Sequence, residues 1–248
     1  MNQYSDFAFV YDELMNEVDY NNWVKYIEDI IKNENVEVQN ILELACGTGN
    51  LTIPLTKKNY DIAGIDISEE MLQVAREKGE RENVELVLLE QDIVELDFDV
   101  TNLDSILCGC DGFNYITYDE DLEGVFSKCH ELLKDNGIFI FDISSYYKLS
   151  KVLGNNMYGE NRENVAYMWQ NYFDDYENLV EMDLAFFVKG EDGRFDKFEE
   201  NHLQRAYKNE EIIQLLKNAG FEYIKTYGDF KLEAPKEDSE RVFFVCKK

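Results

Sequence analysis

Over residues 19–32, Trp23, Tyr26, Ile27, Ile30 and Ile31 fall at the i, i+3, i+4, i+7 and i+8 spacing of one helix face. Beyond them, short apolar runs alternate with helical patterns. Residues 40–45, 60–65, 84–89, 103–108 and 138–143 read as five buried strands. A helix is predicted from about Asn50 to Lys58. A second is capped by Ser68, carries Glu69 and Glu70 in its first turn and stops at Gly79. A third opens on the capping box Thr117-Tyr118-Asp119-Glu120 and presents Leu122, Val125, Phe126, Cys129, Leu132 and Leu133 as a stripe. Buried strands separated by helices predict an α/β chain with a parallel sheet covered on both faces.

The pattern breaks at about residue 144. Val180, Met182, Leu184, Phe186 and Val188 then alternate with their neighbours, which is strand periodicity with one apolar face. Turn segments at 174–178 and 190–193 flank this run, and strands at 165–173 and 194–205 complete a three-stranded meander. A three-stranded sheet with a bare apolar face is marginal in water. The face is therefore expected to cover a ligand crevice or to meet a short helix near 147–153. After Tyr207, Asn209 caps a helix through Ile212, Ile213, Leu215 and Leu216, ended by Gly220, and strands at 222–230 and 241–246 close the chain. The organisation predicted is one domain from 1–143 and 208–248, with 1–36 as an N-terminal arm and helix, and an inserted β-rich lid at 144–207. Residues 1–18 show no clean period.

Hydrophobic residues make up 45% of the 248, enough for a sizeable core. Asp and Glu number 52 against 24 Lys and Arg, a net charge of −28. Such a surface repels phosphate backbones and anionic lipid, so no nucleic-acid or membrane partner is expected, and the charge favours a neutral or cationic small molecule. The start lacks a basic n-region followed by an apolar stretch, no run is long enough to span a bilayer, and five cysteines form no disulfide pattern. These features suggest a cytoplasmic protein with reduced thiols, as a monomer or homodimer.

The chemistry concentrates in Ile41-Leu42-Glu43-Leu44-Ala45-Cys46-Gly47-Thr48-Gly49-Asn50, a strand running through Gly-x-Gly into a helix. Glycine admits close backbone approach, and a helix start points N–H groups at a ligand. The dinucleotide fingerprint asks for a third glycine where this chain has Thr52, which counts against a pyrophosphate. Asp66 ends the next strand, 17 residues after Gly49, where an acid can accept both ribose hydroxyls. Asp92 ends the third strand, placed for an adenine amino group, and Met71 is placed to cover a purine.

The segments "ELACGTGN", "GIDIS…ML", "EQDI" and "LKDNGIFIFDI" together resemble the class I S-adenosylmethionine-dependent methyltransferases. "YSDFAFVYDELM" and "SSYYKLSKVLGNN" are similar to small bacterial members with a β-rich insert. The resemblance implies a Rossmann-like sheet of order 3-2-1-4-5-7-6 with its last strand antiparallel, and S-adenosyl-L-methionine as cofactor. It implies Glu43, Ala45, Gly47 and Gly49 near the methionine portion. Asp66 and Ile67 would lie at the ribose, Met71, Asp92 and Ile93 at the adenine, and Cys110 after strand four. The arm tyrosines Tyr11 and Tyr20 would lie over the cofactor, whereas Tyr4 and Trp23 also read as core aromatics.

Asp111, Asn114, Tyr146 and Tyr147 follow strands four and five. With Trp169 and His202 they are the acceptor-side candidates, and Asp111 is the candidate general base. His202 reads equally as a structural residue, and His130 as a surface one. Cys108-Gly109-Cys110 lacks histidines at ligand spacing, so no metal is expected. The chain after strand four, Cys110-Asp111-Gly112-Phe113-Asn114-Tyr115, lacks the Asp/Asn-Pro-Pro-Tyr/Phe motif of adenine-N6 methyltransferases. The function expected is transfer of a methyl group to an O or N atom of a small molecule. An NAD-dependent oxidoreductase and a non-catalytic S-adenosylmethionine-binding module that docks a protein are the alternatives.

Overall fold

The computed structural model describes residues 8–97, 100–190 and 192–248. Tyr4 of the arm and Glu191 of the turn at 190–193 lie outside them. In chain order the helices are α1 (Ala8–Leu14), α2 (Tyr20–Asn33), α3 (Thr52–Lys57), α4 (Glu69–Glu82), α5 (Asp119–Leu132) and α6 (Asn209–Asn218). The strands are β1 (Asn40–Leu44), β2 (Asp61–Asp66), β3 (Val87–Glu90), β4 (Leu103–Cys108), β5 (Leu133–Ser144), β6 (Met157–Asn161), β7 (Val165–Asp174), β8 (Leu179–Lys189), β9 (Phe195–Arg205), β10 (Tyr223–Gly228) and β11 (Arg241–Lys247).

Seven strands form one sheet in the order β10-β11-β5-β4-β1-β2-β3. Counting β10 and β11 as sixth and seventh, this is the 3-2-1-4-5-7-6 order, with β11 antiparallel to β5. Side-chain alternation divides the core between the two faces. Leu42, Leu44, Ile106, Phe139, Phe141 and Phe244 pack with α5 and α6 on one side. Ile41, Leu107, Ile140 and Val245 meet Trp23, Ile27 and Ile30 of α2 on the other.

The insert is a separate antiparallel sheet of four strands, β6-β7-β8-β9, not three. β6 escaped the pattern because it is five residues long, contains Gly159 and has no buried position. The apolar face of β8 is covered in two halves. A π-helical turn, Lys148–Leu153, sets Leu149 and Leu153 against Val180 and Met182, the short helix expected near 147–153. Farther along, Phe186 packs with Ala8 of α1 and Met71 of α4, and Tyr11, Leu14 and Leu184 flank them.

Five local expectations change. The arm contains α1, whose Ala8, Tyr11 and Leu14 pack with Met71 of α4 and with Phe186 and Leu184 of the insert. Helix α4 runs past Gly79 to Glu82 and ends on Asn83 at φ +54°. A Cβ on Gly79 would lie 2.9 Å from Leu86 Cδ1, so this glycine lets the returning chain cross the helix closely. The first turn of α5 starts from Tyr118 without a side-chain cap, and the Thr117 carbonyl instead accepts from Arg205 Nη1 at 2.9 Å. Helix α6 starts from Lys208, whose backbone N–H donates to Glu211 Oε2 at 2.7 Å. His130 is half-buried, edge-on to Phe221 with ring centroids 5.0 Å apart.

Candidate active site

The loop after β1 holds Ala45, Gly47 and Gly49 at φ +52°, +55° and +74°. This left-handed stretch, which disfavours side chains, turns the chain sharply into α3. Asp66 at the end of β2 fixes the turn: its Oδ2 accepts from Gly47 N at 2.7 Å and its Oδ1 from Ser68 N at 2.9 Å. Each carboxylate oxygen keeps a further lone pair, so the group can still accept two hydroxyls. Burial raises the Asp66 pKa above the ordinary carboxylate value against these backbone bonds. At the end of β3, Asp92 Oδ1 accepts from Val94 N at 2.8 Å and opens a 3₁₀ turn beginning at Ile93.

Glu43 is buried inside β1, and Thr52 Oγ1 donates to its Oε2 at 2.6 Å. Thr52 stands where the dinucleotide fingerprint has a glycine, so the departure from that fingerprint has a structural purpose. Burial pushes the Glu43 carboxyl up to about 8.

One cavity of about 860 Å³ lies along these strand ends. Its wall includes Tyr11 and Tyr20 from the arm, Glu43, Ala45 and Gly47 from β1 and its loop, Asp66, Ile67 and Met71 after β2, and Asp92, Ile93 and Cys110. Gly49 is not in the wall; a Cβ there would lie 3.2 Å from Ala75 Cβ, so its place is set by packing on α4. On the acceptor side Asp111, Trp169 and His202 line the cavity, while Asn114, Tyr146 and Tyr147 are not part of its lining. Asn114 is buried with its amide engaged by backbone: it donates to Arg205 O at 2.8 Å and accepts from Ser144 N at 2.9 Å. Tyr146 packs edge-on to Phe173, with Lys208 Nζ 5.6 Å from its ring centre.

Asp111 follows β4 in strained backbone, Cys110 and Asp111 standing at φ +57° and +56°. Arg241 Nη1 lies 2.9 Å from Asp111 Oδ1 and also pairs with Asp142, which is wholly buried in β5. The Asp111 N–H donates to Asp142 Oδ2 at 3.1 Å, and the guanidinium sits 5.0 Å from the centre of the Trp23 ring. Burial raises Asp142 to about 6, with Arg241 opposing it. The Asp111 carboxylate is already engaged by the Arg241 guanidinium, so this geometry suits it to orienting a donor more than to removing a proton. Sequence reasoning missed Arg241, Asp142 and Gln204 because their partners lie 31 or more residues away.

His202 lies on β9, 4% exposed, with Tyr115 Oη 3.4 Å from Nδ1. Burial lowers it to about 4, so the imidazole is neutral at pH 7. The arm closes over the site through Asp12, whose carboxylate accepts from Thr48 Oγ1 at 2.7 Å and Asn50 Nδ2 at 3.0 Å and pairs with Lys78 at 2.7 Å. From the insert, Arg162 donates to the Glu13 carbonyl at 2.6 Å.

Residues 41–137 match the family model of a methyltransferase domain. YqeM of Bacillus subtilis (strain 168), which bears a provisional methyltransferase name, is 37% identical over 99% of this chain and 97% of its own length. The chain belongs to the class I S-adenosylmethionine-dependent methyltransferases. A solved member from Clostridium acetobutylicum ATCC 824 superposes with a TM-score of 0.88 at 38% identity, covering 98% of each chain. A more distant relative is the glycine/sarcosine N-methyltransferase of Aphanothece halophytica, 25% identical over 84% of this chain and 76% of its own length. The cofactor is S-adenosylmethionine, and the donor set fits it. Asp66 retains lone pairs for ribose hydroxyls, Asp92 an oxygen for the adenine amino group, and Glu43 an acid beside the loop. No described helix is long and apolar enough to cross a membrane.

Proposed function

We propose that this methyltransferase moves the methyl group to an O or N atom of a small-molecule acceptor held beneath the inserted sheet. The observation that carries the reading is that one cavity joins the cofactor-side residues to Trp169, Met182, Leu184, Phe186 and His202 on the insert's inner face. Its size is near the upper end of the roughly 300–1,000 Å³ range of small-molecule sites, as a site shared by two ligands requires. The cofactor supplies an electrophilic methyl group, so the protein's task is alignment and exclusion of water.

The chain's residues divide that task. Asp66, Asp92 and Met71 fix the adenosine, and α1 with the insert closes the roof against solvent. Asp111, held by Arg241, orients the acceptor's N–H or O–H. Neutral His202 is able to accept a hydrogen bond from it. Nitrogen is the favoured atom, in keeping with the N-methyltransferase name of the Aphanothece relative. Calorimetry against S-adenosylmethionine, S-adenosylhomocysteine and NAD, followed by transfer of labelled methyl groups into a pool of small metabolites, tests the reading. Binding of the first two with incorporation into a small molecule supports it. Preference for NAD, or incorporation only into macromolecules, refutes it.

A further inference from the structure

The acceptor side of the cavity wall also holds two donors whose hydrogen-bonding capacity the described residues leave open. Lys148 begins the π-helical turn after β5, a backbone form that concentrates at functional sites. Its Nζ donates to Ser144 Oγ at 3.2 Å, and no described carboxylate stands within ion-pair distance of it. Arg241, the other Lys or Arg of the wall, is taken up by Asp111 and Asp142. With 52 acidic against 24 basic residues, a cavity lysine without an acid runs against the composition. The second group is the Trp169 indole N–H, buried with no acceptor among the described residues. A buried donor left unpaired is destabilising, so a ligand oxygen is its natural partner.

We propose that the methyl acceptor carries an oxyanion, a carboxylate or a phosphate, bound by Lys148, with the Trp169 N–H donating elsewhere along the acceptor body. This rests on the small-molecule transfer reading above and adds the acceptor's charge class. The net charge of −28 predicts the opposite, a neutral or cationic acceptor. That charge is spread over the whole surface, and exposed charges are screened within about 8 Å at physiological salt. Inside a cavity walled by Met182, Leu184 and Phe186, the nearest unpaired cation sets the preference instead.

The test uses the full chain loaded with S-adenosylhomocysteine, as wild type, Lys148→Met and Lys148→Arg. Calorimetry with inorganic phosphate and with acetate, at constant ionic strength, measures anion binding. Cofactor affinity equal to wild type in each variant verifies the fold. The wild type should bind one anion at millimolar concentration, Lys148→Met about 10- to 100-fold more weakly, and Lys148→Arg within a few-fold. A preference for phosphate assigns a phosphorylated acceptor, and one for acetate a carboxylate. In parallel, a small-metabolite extract is split on an anion-exchange resin, and labelled methyl groups should enter the retained fraction. Equal anion binding by wild type and Lys148→Met, or incorporation only in the unretained fraction, overturns the proposal. Lys148-dependent anion binding with no incorporation anywhere supports the anion site at Lys148 and refutes the transfer reading, and with it the assignment of the bound anion as a methyl acceptor.

Discussion

Replacing Glu43 with Gln should stabilise the cofactor-free protein while weakening its hold on the cofactor. Glu43 is 2% exposed, and burial lifts its carboxyl from an ordinary 4.5 to about 8. Between those values the unfolded chain carries the charge and the folded chain carries the proton, so stability falls as pH rises, by ~1.4 kcal/mol per pH unit. At pH 7 the loss is about 3 kcal/mol, and it levels off once pH passes 8. Glutamine has nearly the same shape, keeps an oxygen for the Thr52 hydroxyl and does not titrate. Asp66 and Asp142 are also shifted upward, but they are common to both proteins and cancel in the difference. Denaturant unfolding of both proteins from pH 4 to 9, without cofactor, should show curves that meet below pH 4.5. At pH 7 Glu43→Gln should be ahead by roughly 3 kcal/mol. A sulfonium near the carboxyl favours its ionised form, so wild type should release a proton on binding at pH 7 and the variant should not. Calorimetry in two buffers of different ionisation heat measures that proton. Parallel unfolding curves across the whole range would refute the assignment of a protonated Glu43.

Asp66→Asn places an NH₂ against the Gly47 or Ser68 N–H and should weaken cofactor binding about 10- to 100-fold by calorimetry; an unchanged Kd would remove Asp66 from the site. Glu34 is buried, but Lys225, Tyr223 and Lys247 outweigh that burial and hold it down to about 2. Its stabilisation is present above pH 4.5 and lost as pH falls towards 2, so Glu34→Gln should flatten the acid limb of the stability curve and destabilise by about 1–3 kcal/mol at pH 7. Arg241→Met strips the buried Asp142 of its partner and should destabilise by about 3–5 kcal/mol, with Asp142→Asn recovering part of it in the double variant. If the double variant is no better than the single, the pair is not the source of the loss.

The sheet was legible because its strands are buried on both faces and its helices carry stripes, so the alternation of patterns follows from burial alone. Leu103–Cys108 appears at the predicted bounds. The misses share a different cause. Helix α1 has no stripe of its own length, since Ala8 packs between α4 and the insert while Asp12 is satisfied by Thr48, Asn50 and Lys78. Strand β6 is held by its pairing with β7, from Met157 opposite Gln170 to Asn161 opposite Ala166, and not by apolar alternation. That Asp66 and Asp92 share one cavity wall was legible because strand ends of a parallel sheet face one crevice. Asn114 lies outside the wall with its amide bonded to backbone, which its position after β4 does not reveal.

Arg241 shows where such reasoning could have gone further. In open α/β sheets ligand contacts are sought at the carboxyl ends of the parallel strands. A last strand that runs antiparallel reverses the rule for itself: its first residue, not its last, reaches the crevice. The register bears this out, with Arg241 opposite Ser144 at the end of β5 and Lys247 opposite Ile138 far from the site. A basic residue at the start of that strand is thereby brought beside Asp111 just after β4, which with Cys110 stands in left-handed backbone. The wholly buried Asp142 and the half-buried Asp111 share this one arginine, which holds the turn, and for Asp142 a charged partner offsets the cost of burial. Strand β11 is therefore part of the site as well as of the sheet, because it delivers the arginine that pairs with the acids at the ends of β4 and β5.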